Sequence, residues 1–333
     1  NWSFYLSIIQ TTKMNIYFLI ILCSILHINT ILSQRVLFKK ILPDSEIDWL
    51  VDSNFEGVAK LSPLINNVIS IPLRKWKRNK FSWLFKVLQF RKLTIDKKYD
   101  YIIDTQGLIK SAVLAKILFN GKVFGLDYVS AREKLASYLY NYKYYVDQNA
   151  VAVIRLRGLI AKIFNLQNNL SEFSFIINTI KPKLNFDNDY ILILHGTSKE
   201  SKKWNLDNWV YLINWLIENT DKNIVVTHSN SDELNFVTKL SENITSDKFV
   251  VINKLNFAEL SGLIKQSSLV VGVDTGFTHM ANLLKIPTIA IYLHSKPSYV
   301  GIVESNIGFN LGGYKQELKP NEVIDCIIQN QLI

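Results

Sequence analysis

Short apolar runs alternate with amphipathic stretches along most of the chain. Tyr190–Leu194 and Leu269–Val273 are rich in aliphatic residues, which is typical of strands buried on both faces of a parallel sheet. A polar turn follows each run, and then comes a stretch with apolar residues at helical spacing, as in Leu206–Glu218. This repeated order of strand and helix predicts an α/β protein with parallel sheets.

The pattern divides the chain into two series of elements. Strands are predicted at 47–51, 67–72, 101–104, 123–126, 190–194, 223–227, 249–251, 269–273 and 288–292. Helices are predicted at 108–118, 151–164, 206–218, 232–240, 257–264 and 320–329, with two more beginning at Ala131 and Gly276. The polar segment Asn165–Ser171 separates the series, which predicts two Rossmann-like domains, 38–165 and 172–333, the second ending in a C-terminal helix.

Residues 1–37 form an atypical N-terminal segment. Its apolar run Ile16–Leu26 is shorter than the roughly 20 residues that a membrane-spanning helix needs. No small-residue cleavage site of a secretory signal is evident. Three interpretations stay open: a buried strand and helix, a membrane anchor over Ile16–Leu32, and a reading-frame disturbance between residues 19 and 37.

Composition agrees with a folded protein of two domains. The chain has 333 residues, and its hydrophobic content of 48% excludes a mostly disordered protein. The two cysteines, Cys23 and Cys326, resemble neither a disulfide framework nor a metal site. We therefore expect no structural metal and a reducing compartment.

Positive charge is concentrated in the first half. Residues 1–165 carry 24 Lys and Arg against 11 Asp and Glu, a net +13, whereas residues 166–333 carry 14 against 17, a net −3. The basic half is therefore expected to meet an anionic partner, such as nucleic acid, a phosphorylated sugar or an anionic membrane surface. No nucleic-acid-binding motif is present, so nucleic acid is not expected. The densest basic run, Arg74–Lys80, is either a solvated loop or a clamp for phosphate and carboxylate groups.

A second candidate site follows the strand Leu269–Val273. Asp274, Thr275 and Gly276 form a short turn before a helix that carries His279 about one turn in. Backbone N–H groups at a helix N-terminus bind anions, and the histidine adds a donor. The alternative is an ordinary turn with a capping Asp and a solvated His.

Four motifs in order resemble one enzyme family. They are D-T-Q-G-L-I-K-S (104–111), A-R-E-K-L-A-S (131–137), H-G-T-S-K-E-S-K-K-W (195–204) and V-D-T-G-F-T-H (273–279). From about Lys39 to the C-terminus the chain resembles the ADP-heptose–lipopolysaccharide heptosyltransferases of glycosyltransferase family 9. The resemblance implies a GT-B fold, with two Rossmann-like domains whose parallel sheets face each other across a cleft. It also implies inverting transfer of heptose from ADP-heptose to Kdo of the lipid A inner core, without a cofactor or a metal.

The resemblance assigns candidate site residues in both domains. It makes 172–333 the donor domain and 38–165 the acceptor domain. The implied donor-binding residues are Thr197, Ser198 and Lys202 at the diphosphate, Leu255 at the adenine, and Asp274, Thr275, Gly276 and His279 at the turn. The implied residues for the anionic Kdo–lipid A acceptor are Arg74, Lys75, Lys77, Arg78 and Arg132. A fixed ammonium such as Lys202 suits the charge that develops on the leaving ADP. A monomer is expected, cytoplasmic and peripheral on the inner face of the cytoplasmic membrane.

The chain departs from the family pattern at three places. The family's S-S-x-G-D loop, whose Asp is the catalytic base, is replaced by L-C-S-I-L-H-I at 22–28, and no Gly or Asp occurs between Met14 and Pro43. The family's G-P-T becomes L-H-S at 293–295, and its ribose-binding Glu has no clear match near Ser229–Asp232. The catalytic residue is therefore unassigned. A catalytically impaired relative that still binds nucleotide sugar, and a heptosyltransferase with a different acceptor, are the alternatives.

Overall fold

Two α/β units, each built around a parallel sheet, make up the described part of the chain. The computed structural model describes residues 17–22, 45–73, 75, 83–92, 94, 97–166, 176–186, 189–197 and 199–333. Contacts divide the chain into Asn1–Gln148 with Ile154–Ile177, and Asn149–Val153 with Asn178–Ile333. Each unit has one six-stranded sheet, so the predicted fold class is confirmed. Part of the predicted linker, 167–171, lies outside the described residues.

The first sheet has the strand order of a Rossmann fold. Its strands are β1 (Tyr17–Leu22), β2 (Glu46–Asp52), β3 (Asn67–Ile71), β4 (Lys98–Asp104), β5 (Asn120–Leu126) and β6 (Tyr142–Tyr144). They lie in the order β3-β2-β1-β4-β5-β6, and every neighbouring pair is parallel. The helices are α1 (Glu56–Ala59), α2 (Trp83–Arg91), α3 (Ile109–Leu118) and α4 (Ala152–Ile163). Strand order reverses between β1 and β4, and ligands of such sheets bind at the carboxyl ends of the strands beside that switch point.

Strand β1 bears on the interpretation of the N-terminal segment. Phe18 pairs with Ile47 of β2 on one side and with Tyr101 of β4 on the other. Tyr17–Leu22 is therefore the central strand that the first of the three interpretations requires. Among the described residues, no helix is both long and apolar enough to cross a membrane. The rest of Ile16–Leu32 lies outside the described residues.

The second sheet repeats the same order. Its strands are β7 (Tyr190–Leu194), β8 (Asn223–Thr227), β9 (Phe249–Ile252), β10 (Leu269–Val273), β11 (Thr288–Tyr292) and β12 (Gly308–Gly312). They lie in the order β12-β11-β10-β7-β8-β9, all parallel, so the switch point lies between β7 and β10. The helices are α5 (Leu206–Asn219), α6 (Ser231–Asn243), α7 (Phe257–Gln266), α8 (Gly276–Leu283), α9 (Pro297–Val300) and α10 (Pro320–Gln329).

Helix α5 shows how sequence produces packing in this unit. Asn205 caps its N-terminus by accepting a hydrogen bond from Asn208 N at 2.8 Å. Trp209 and Leu212 lie on its fully buried face, and each buried side chain of this size stabilises the fold by about 1.5–3 kcal/mol. Trp204 packs edge to face on Trp209 and donates to Leu318 O at 2.9 Å. The loop before α5 is thereby attached to the segment that leads into α10.

The prediction that a helix begins at Ala131 is wrong. Residues Lys134–Leu139 form a 3₁₀ helix, and the unpredicted strand β6 follows. Glu133 has extended backbone angles, and its N–H donates to Gly107 O at 2.8 Å. This tertiary contact accompanies extended backbone at Glu133, so no helix forms there and the 3₁₀ helix begins one residue later. Strand β12 was also unpredicted.

Candidate functional site

Two loops of the second unit converge on Asp274, which lies in a third, the turn after β10. The Lys202 ammonium, from the loop after β7, lies 2.5 Å from Asp274 Oδ2. Ser295 Oγ, from the loop after β11, donates to the same oxygen at 2.5 Å. Thr197 Oγ1 donates to the backbone carbonyl of Asp274 at 3.3 Å. The fold therefore brings Thr197, Lys202 and Asp274, three of the predicted donor residues, to the switch point of the sheet, together with Ser295, which the prediction did not include.

The turn after β10 leads directly into α8. Thr275 is the N-cap residue, and its side chain makes no capping hydrogen bond. Thr278 Oγ1 donates to Val273 O at 2.8 Å, and a Cβ on Gly272 would collide with that hydroxyl group. Strand and helix N-terminus are therefore held close together. The first turn of a helix carries N–H groups without intrahelical partners and the positive end of the helix dipole, which suits an anion.

His279 is buried on α8 beside Asp274. It is only 2% exposed, and neither ring nitrogen has a hydrogen-bond partner among the described residues. Its Nε2 lies 4.0 Å from Asp274 Oδ1. Burial lowers the pKa of His279, the charge of Asp274 opposes the shift and Lys202 adds to it, so that the pKa is about 4. The ring is therefore neutral at pH 7 and retains one N–H donor and one acceptor nitrogen.

A pocket opens beside this turn, at the carboxyl ends of β7 and β8. Leu255, the residue predicted to contact adenine, lines it together with Leu260 and Phe277. Phe277 is stacked on Phe257 with 5.9 Å between the ring centroids. The other lining residues are Ile193, Leu194, His195, Gly196, Thr227, His228, Ser229, Glu233 and Thr275. Apolar walls with a few polar groups are typical of a site for a planar organic ligand.

Glu233 is a polar group of this pocket that the sequence prediction missed. Its Oε2 accepts hydrogen bonds from the backbone N and the Oγ of Ser229, both at 2.7 Å. A Cβ on Gly196 would lie 2.6 Å from Oε1, so the missing side chain leaves room for the carboxylate. The sequence carried a usable signal, because Asn230 and Glu233 stand in the N-cap and N3 positions of a helix start.

In the first unit, Asp104 holds the end of β4 in place. Its Oδ1 accepts from Gln106 N at 2.9 Å, and its Oδ2 accepts from Ser111 Oγ at 2.7 Å and from Tyr140 OH at 2.6 Å. The side chain is completely buried, and burial raises the pKa of Asp104 above its ordinary value. The D-T-Q-G turn is therefore a fixed support rather than a solvent-exposed acid.

The D-T-Q-G and A-R-E motifs contact each other. Gly107 has a φ of +63°, and a Cβ there would lie 3.1 Å from the backbone N of Arg132. Glu133 N donates to Gly107 O at 2.8 Å, and Glu133 Oε2 accepts from Ile109 N at 2.7 Å. Glu133 therefore caps α3 and fixes the backbone next to Arg132, whose side chain is exposed.

Not every predicted residue falls in the described part of the chain. Lys75, like Arg132, is described and exposed. Ser198, Arg74, Lys77 and Arg78 lie outside the described residues. Within the described ranges, no group of three or more His, Cys, Asp and Glu side chains is arranged to hold a metal ion.

Comparison with known proteins identifies the family. Residues 87–330, more than half of the chain, match the family model of glycosyltransferase family 9 (heptosyltransferase). The chain belongs to this family. It is accordingly a glycosyltransferase, and the turn at Asp274 and the pocket beside it lie within the matched residues.

Curated heptosyltransferases extend the match. Lipopolysaccharide heptosyltransferase 1 of Salmonella typhimurium is 30% identical over 264 residues, which are 78% of this chain and 82% of that protein. The protein of the same name from Campylobacter coli is 29% identical over 287 residues, 81% of each chain.

Solved heptosyltransferase structures share the fold. E. coli heptosyltransferase WaaC with ADP is similar with a TM-score of 0.84 and 27% identity, over 95% of this chain and 100% of that one. WaaC with ADP-2-deoxy-2-fluoro heptose gives a TM-score of 0.83 at 26% identity over the same shares. The predicted GT-B glycosyltransferase fold and the predicted family are therefore confirmed.

The heptosyltransferase fold also locates the segment that departs from the family pattern. Strand β1 ends at Leu22, on the switch-point side of the first sheet. Residues 23–28, where the sequence resemblance predicts the catalytic loop, lie outside the described residues. No catalytic base is assigned.

Proposed function

We propose that this protein transfers heptose from ADP-heptose to a Kdo sugar of the lipid A inner core, with inversion at the anomeric carbon. Heptosyl transfer in lipopolysaccharide core biosynthesis is the activity supported by the family and by relatives at about 30% identity. The observation that carries the proposal is the convergence of Lys202, Asp274 and Ser295 beside an apolar pocket at the switch point. These findings favour a transferase over an impaired binding protein.

The donor would occupy the second unit. The adenine fits between the apolar walls at Leu255, and the Glu233 carboxylate accepts hydrogen bonds from the ribose hydroxyls. The diphosphate lies against the N-terminus of α8, with Thr197, Ser198, Thr275 and Gly276 as further donors. WaaC was solved with ADP and with a fluorinated ADP-heptose, which supports a nucleotide sugar as the ligand of this unit.

Lys202 and Asp274 would contact different parts of the bound donor. The ammonium shifts from the carboxylate to the diphosphate, where a charge-assisted contact is strongest. Asp274 then accepts hydrogen bonds from heptose hydroxyls, while Ser295 continues to donate to its Oδ2. The neutral ring of His279 supplies an N–H to the same region without adding charge.

The reaction itself needs a base and a stabilised leaving group. The acceptor oxygen forms a bond to the anomeric carbon as the bond from that carbon to the diphosphate oxygen breaks. The hydroxyl proton passes to a base, and ADP leaves with a charge that Lys202 offsets. ADP-heptose is consumed as a substrate, and the proposed reaction uses neither a cofactor nor a metal.

The first unit would bind the acceptor. Arg74, Lys75, Lys77, Arg78 and Arg132 offer guanidinium and ammonium groups to the Kdo carboxylate and the lipid A phosphates. Because such an acceptor is a lipid, we propose that the protein lies peripherally on the inner face of the cytoplasmic membrane. We also propose that it acts in the cytoplasm as a monomer.

Product formation from defined substrates tests the function. The full chain should convert ADP-heptose and detergent-solubilised Kdo–lipid A to ADP and a heptosylated acceptor, detected by mass spectrometry. Arg74→Glu with Arg78→Glu should abolish acceptor binding and spare ADP binding. A matched pair on α3, Lys110→Glu with Lys116→Glu, should alter neither. Absence of product with the unchanged chain would refute the transferase, and joint loss of both ligands in the first pair would make the basic run structural.

A further inference from the structure

The first unit exposes four large apolar side chains on adjoining segments. Tyr138 is 68% exposed, Leu135 62%, Val129 57% and Tyr128 47%. Lys134 and Lys143 lie among them, and the six residues are here called the tyrosine–lysine surface. An exposed apolar patch with a polar rim marks an interaction site more often than a neutral stretch of surface does.

Specific contacts hold this surface together. The rings of Tyr128 and Tyr138 meet edge to face with 6.0 Å between centroids. Lys134 Nζ lies 5.4 Å from the centroid of Tyr128, and Lys143 Nζ lies 5.7 Å from that of Tyr138. Each lysine therefore places its ammonium over the face of a tyrosine ring, where the two attract each other.

The backbone beneath the surface is also fixed. Gln148 Nε2 donates to Val129 O. The loop before the 3₁₀ helix closes on Asp127, whose Oδ1 accepts from Ser130 N at 2.8 Å and whose carbonyl accepts from Ala131 N at 2.9 Å. The apolar side chains are therefore displayed by ordered backbone.

The charge of the surface favours an anionic partner. Between residues 127 and 143 the cations are Arg132, Lys134 and Lys143, and the carboxylates are Glu133 and Asp127, whose Oδ1 accepts from Ser130 N. Glu133 already accepts the Ile109 N–H at 2.7 Å, so its charge is directed to the start of α3. Tyrosine rings, aliphatic side chains and lysines with apolar stems are the combination that the interface between a bilayer and water accommodates.

We propose that the tyrosine–lysine surface docks the protein on an anionic lipid bilayer. This inference rests on the proposed function, because Arg132 stands two residues before Lys134 and is proposed to bind a lipid-borne acceptor. Docking through Tyr128, Leu135 and Tyr138 holds Arg132 at the level of the headgroups, where the acceptor's sugars and phosphates lie. The protein and its acceptor then share one surface, which raises the effective concentration of the acceptor.

Vesicle sedimentation with the full chain tests the docking. Vesicles of phosphatidylcholine with phosphatidylglycerol should bind the protein, and vesicles of phosphatidylcholine alone should bind it weakly. Each lysine near an anionic surface changes the affinity about fivefold, so Lys134→Gln with Lys143→Gln should weaken binding roughly thirtyfold. Leu135→Ser with Tyr138→Ser should weaken it as well. Both pairs are exposed, so circular dichroism should show unchanged folding.

Matched controls lie on the second unit. Tyr211 and Ile328 are exposed to a similar extent, and Lys239 and Lys265 are exposed lysines. Tyr211→Ser with Ile328→Ser, and Lys239→Gln with Lys265→Gln, should leave vesicle binding unchanged. Equal binding to both vesicle types, equal losses in control and surface variants, or a dimer that dissociates when Leu135 and Tyr138 are changed would overturn the proposal.

Turnover separates this proposal from the proposed function. With a de-acylated, water-soluble acceptor, the surface variants should match the unchanged chain in turnover and in ADP affinity. With the acceptor embedded in anionic vesicles, they should be at least tenfold slower. If the unchanged chain shows no turnover on either acceptor, the function fails while vesicle binding still decides the docking. If the variants lose turnover on the soluble acceptor too, the docking role is refuted.

Discussion

The ammonium group of Lys202 lies 2.5 Å from the carboxylate of Asp274, across 72 positions of sequence. The side chains are 23% and 10% exposed, so the pair is shielded from much of the solvent. The pair therefore places the lysine at the turn before α8, where the proposed diphosphate binds.

Replacing Lys202 tests the donor site. Loss of a charge-assisted contact costs about 1.5–3 kcal/mol, so Lys202→Ala should weaken ADP binding roughly tenfold to a hundredfold in calorimetry. Lys203→Ala is the matched control, since that ammonium pairs with Glu200 at 2.7 Å. Unchanged ADP affinity in Lys202→Ala would remove this lysine from the site.

Glu233 should recognise the ribose of the nucleotide. Glu233→Gln should weaken ADP binding about tenfold or more, because a charged acceptor for hydroxyl groups becomes a neutral one. ADP lacking the ribose 2′ and 3′ hydroxyls should bind the variant and the unchanged chain equally. Glu242→Gln, an exposed position on the same helix, should have no effect. A variant that lost affinity equally for both nucleotides would assign Glu233 a structural role.

His279 should make stability depend on pH in the acidic range. Its pKa falls from 6.5 to about 4 on folding, so between these values the unfolded chain binds the extra proton. The free energy of unfolding should therefore be highest above pH 6.5 and decrease as pH falls towards 4. Urea unfolding of His279→Gln, compared with the unchanged chain, should show a smaller decrease. His294→Gln, at an exposed histidine, should leave the profile unchanged, and equal profiles in all three proteins would contradict the burial argument.

Glu133 should act as a positioning residue for Arg132. Glu133→Ala removes the acceptor of the Ile109 N–H, and loss of such a cap costs about 0.5–2 kcal/mol of stability. Glu133→Gln keeps an oxygen that can accept the Ile109 N–H and should restore the KM for the acceptor. We expect the alanine variant to raise KM for the acceptor several-fold while kcat and ADP affinity stay unchanged. A fall in kcat with an unchanged KM, or no rescue by glutamine, would contradict positioning.

The missing carboxylate after β1 should limit the rate. A general base contributes about 10²–10⁴ to such reactions, and the stretch 22–28 carries no Asp or Glu. Transfer by the chain as it stands should therefore be slow, and a Ser-Ser-Leu-Gly-Asp loop placed across residues 22–28 should raise it about a hundredfold or more. Family-like turnover in the unchanged chain, with His27→Ala harmless, would show that another group serves as base.

The sequence predicted the strands that are buried on both sides, because such strands are continuous apolar runs. Leu269–Val273 and Thr288–Tyr292 are examples, and both are fully buried. It failed where distant contacts decide the backbone, as at Glu133, which is extended and donates its N–H to Gly107 O. The family resemblance allowed Lys202 and Asp274 to be predicted as donor-binding residues. The sequence did not predict that the two side chains contact each other. It also overlooked Glu233, whose role depends on the space above Gly196.

Because β1 lies in the centre of the first sheet, loss of this one strand should damage the first unit and leave the second unit intact. Loss of an outer strand breaks the hydrogen bonds to one neighbouring strand. Loss of β1 breaks the hydrogen bonds to two, because β1 pairs with both β2 and β4. Loss of β1 would split the sheet and leave β2 and β4 as unpaired edge strands about two strand spacings apart, roughly 9–10 Å. Each of these edges could pair with a strand from another molecule. Damage to the segment that forms β1 would therefore appear as aggregation of the first unit, while the second unit, whose sheet contains no residue before Tyr190, would fold undisturbed.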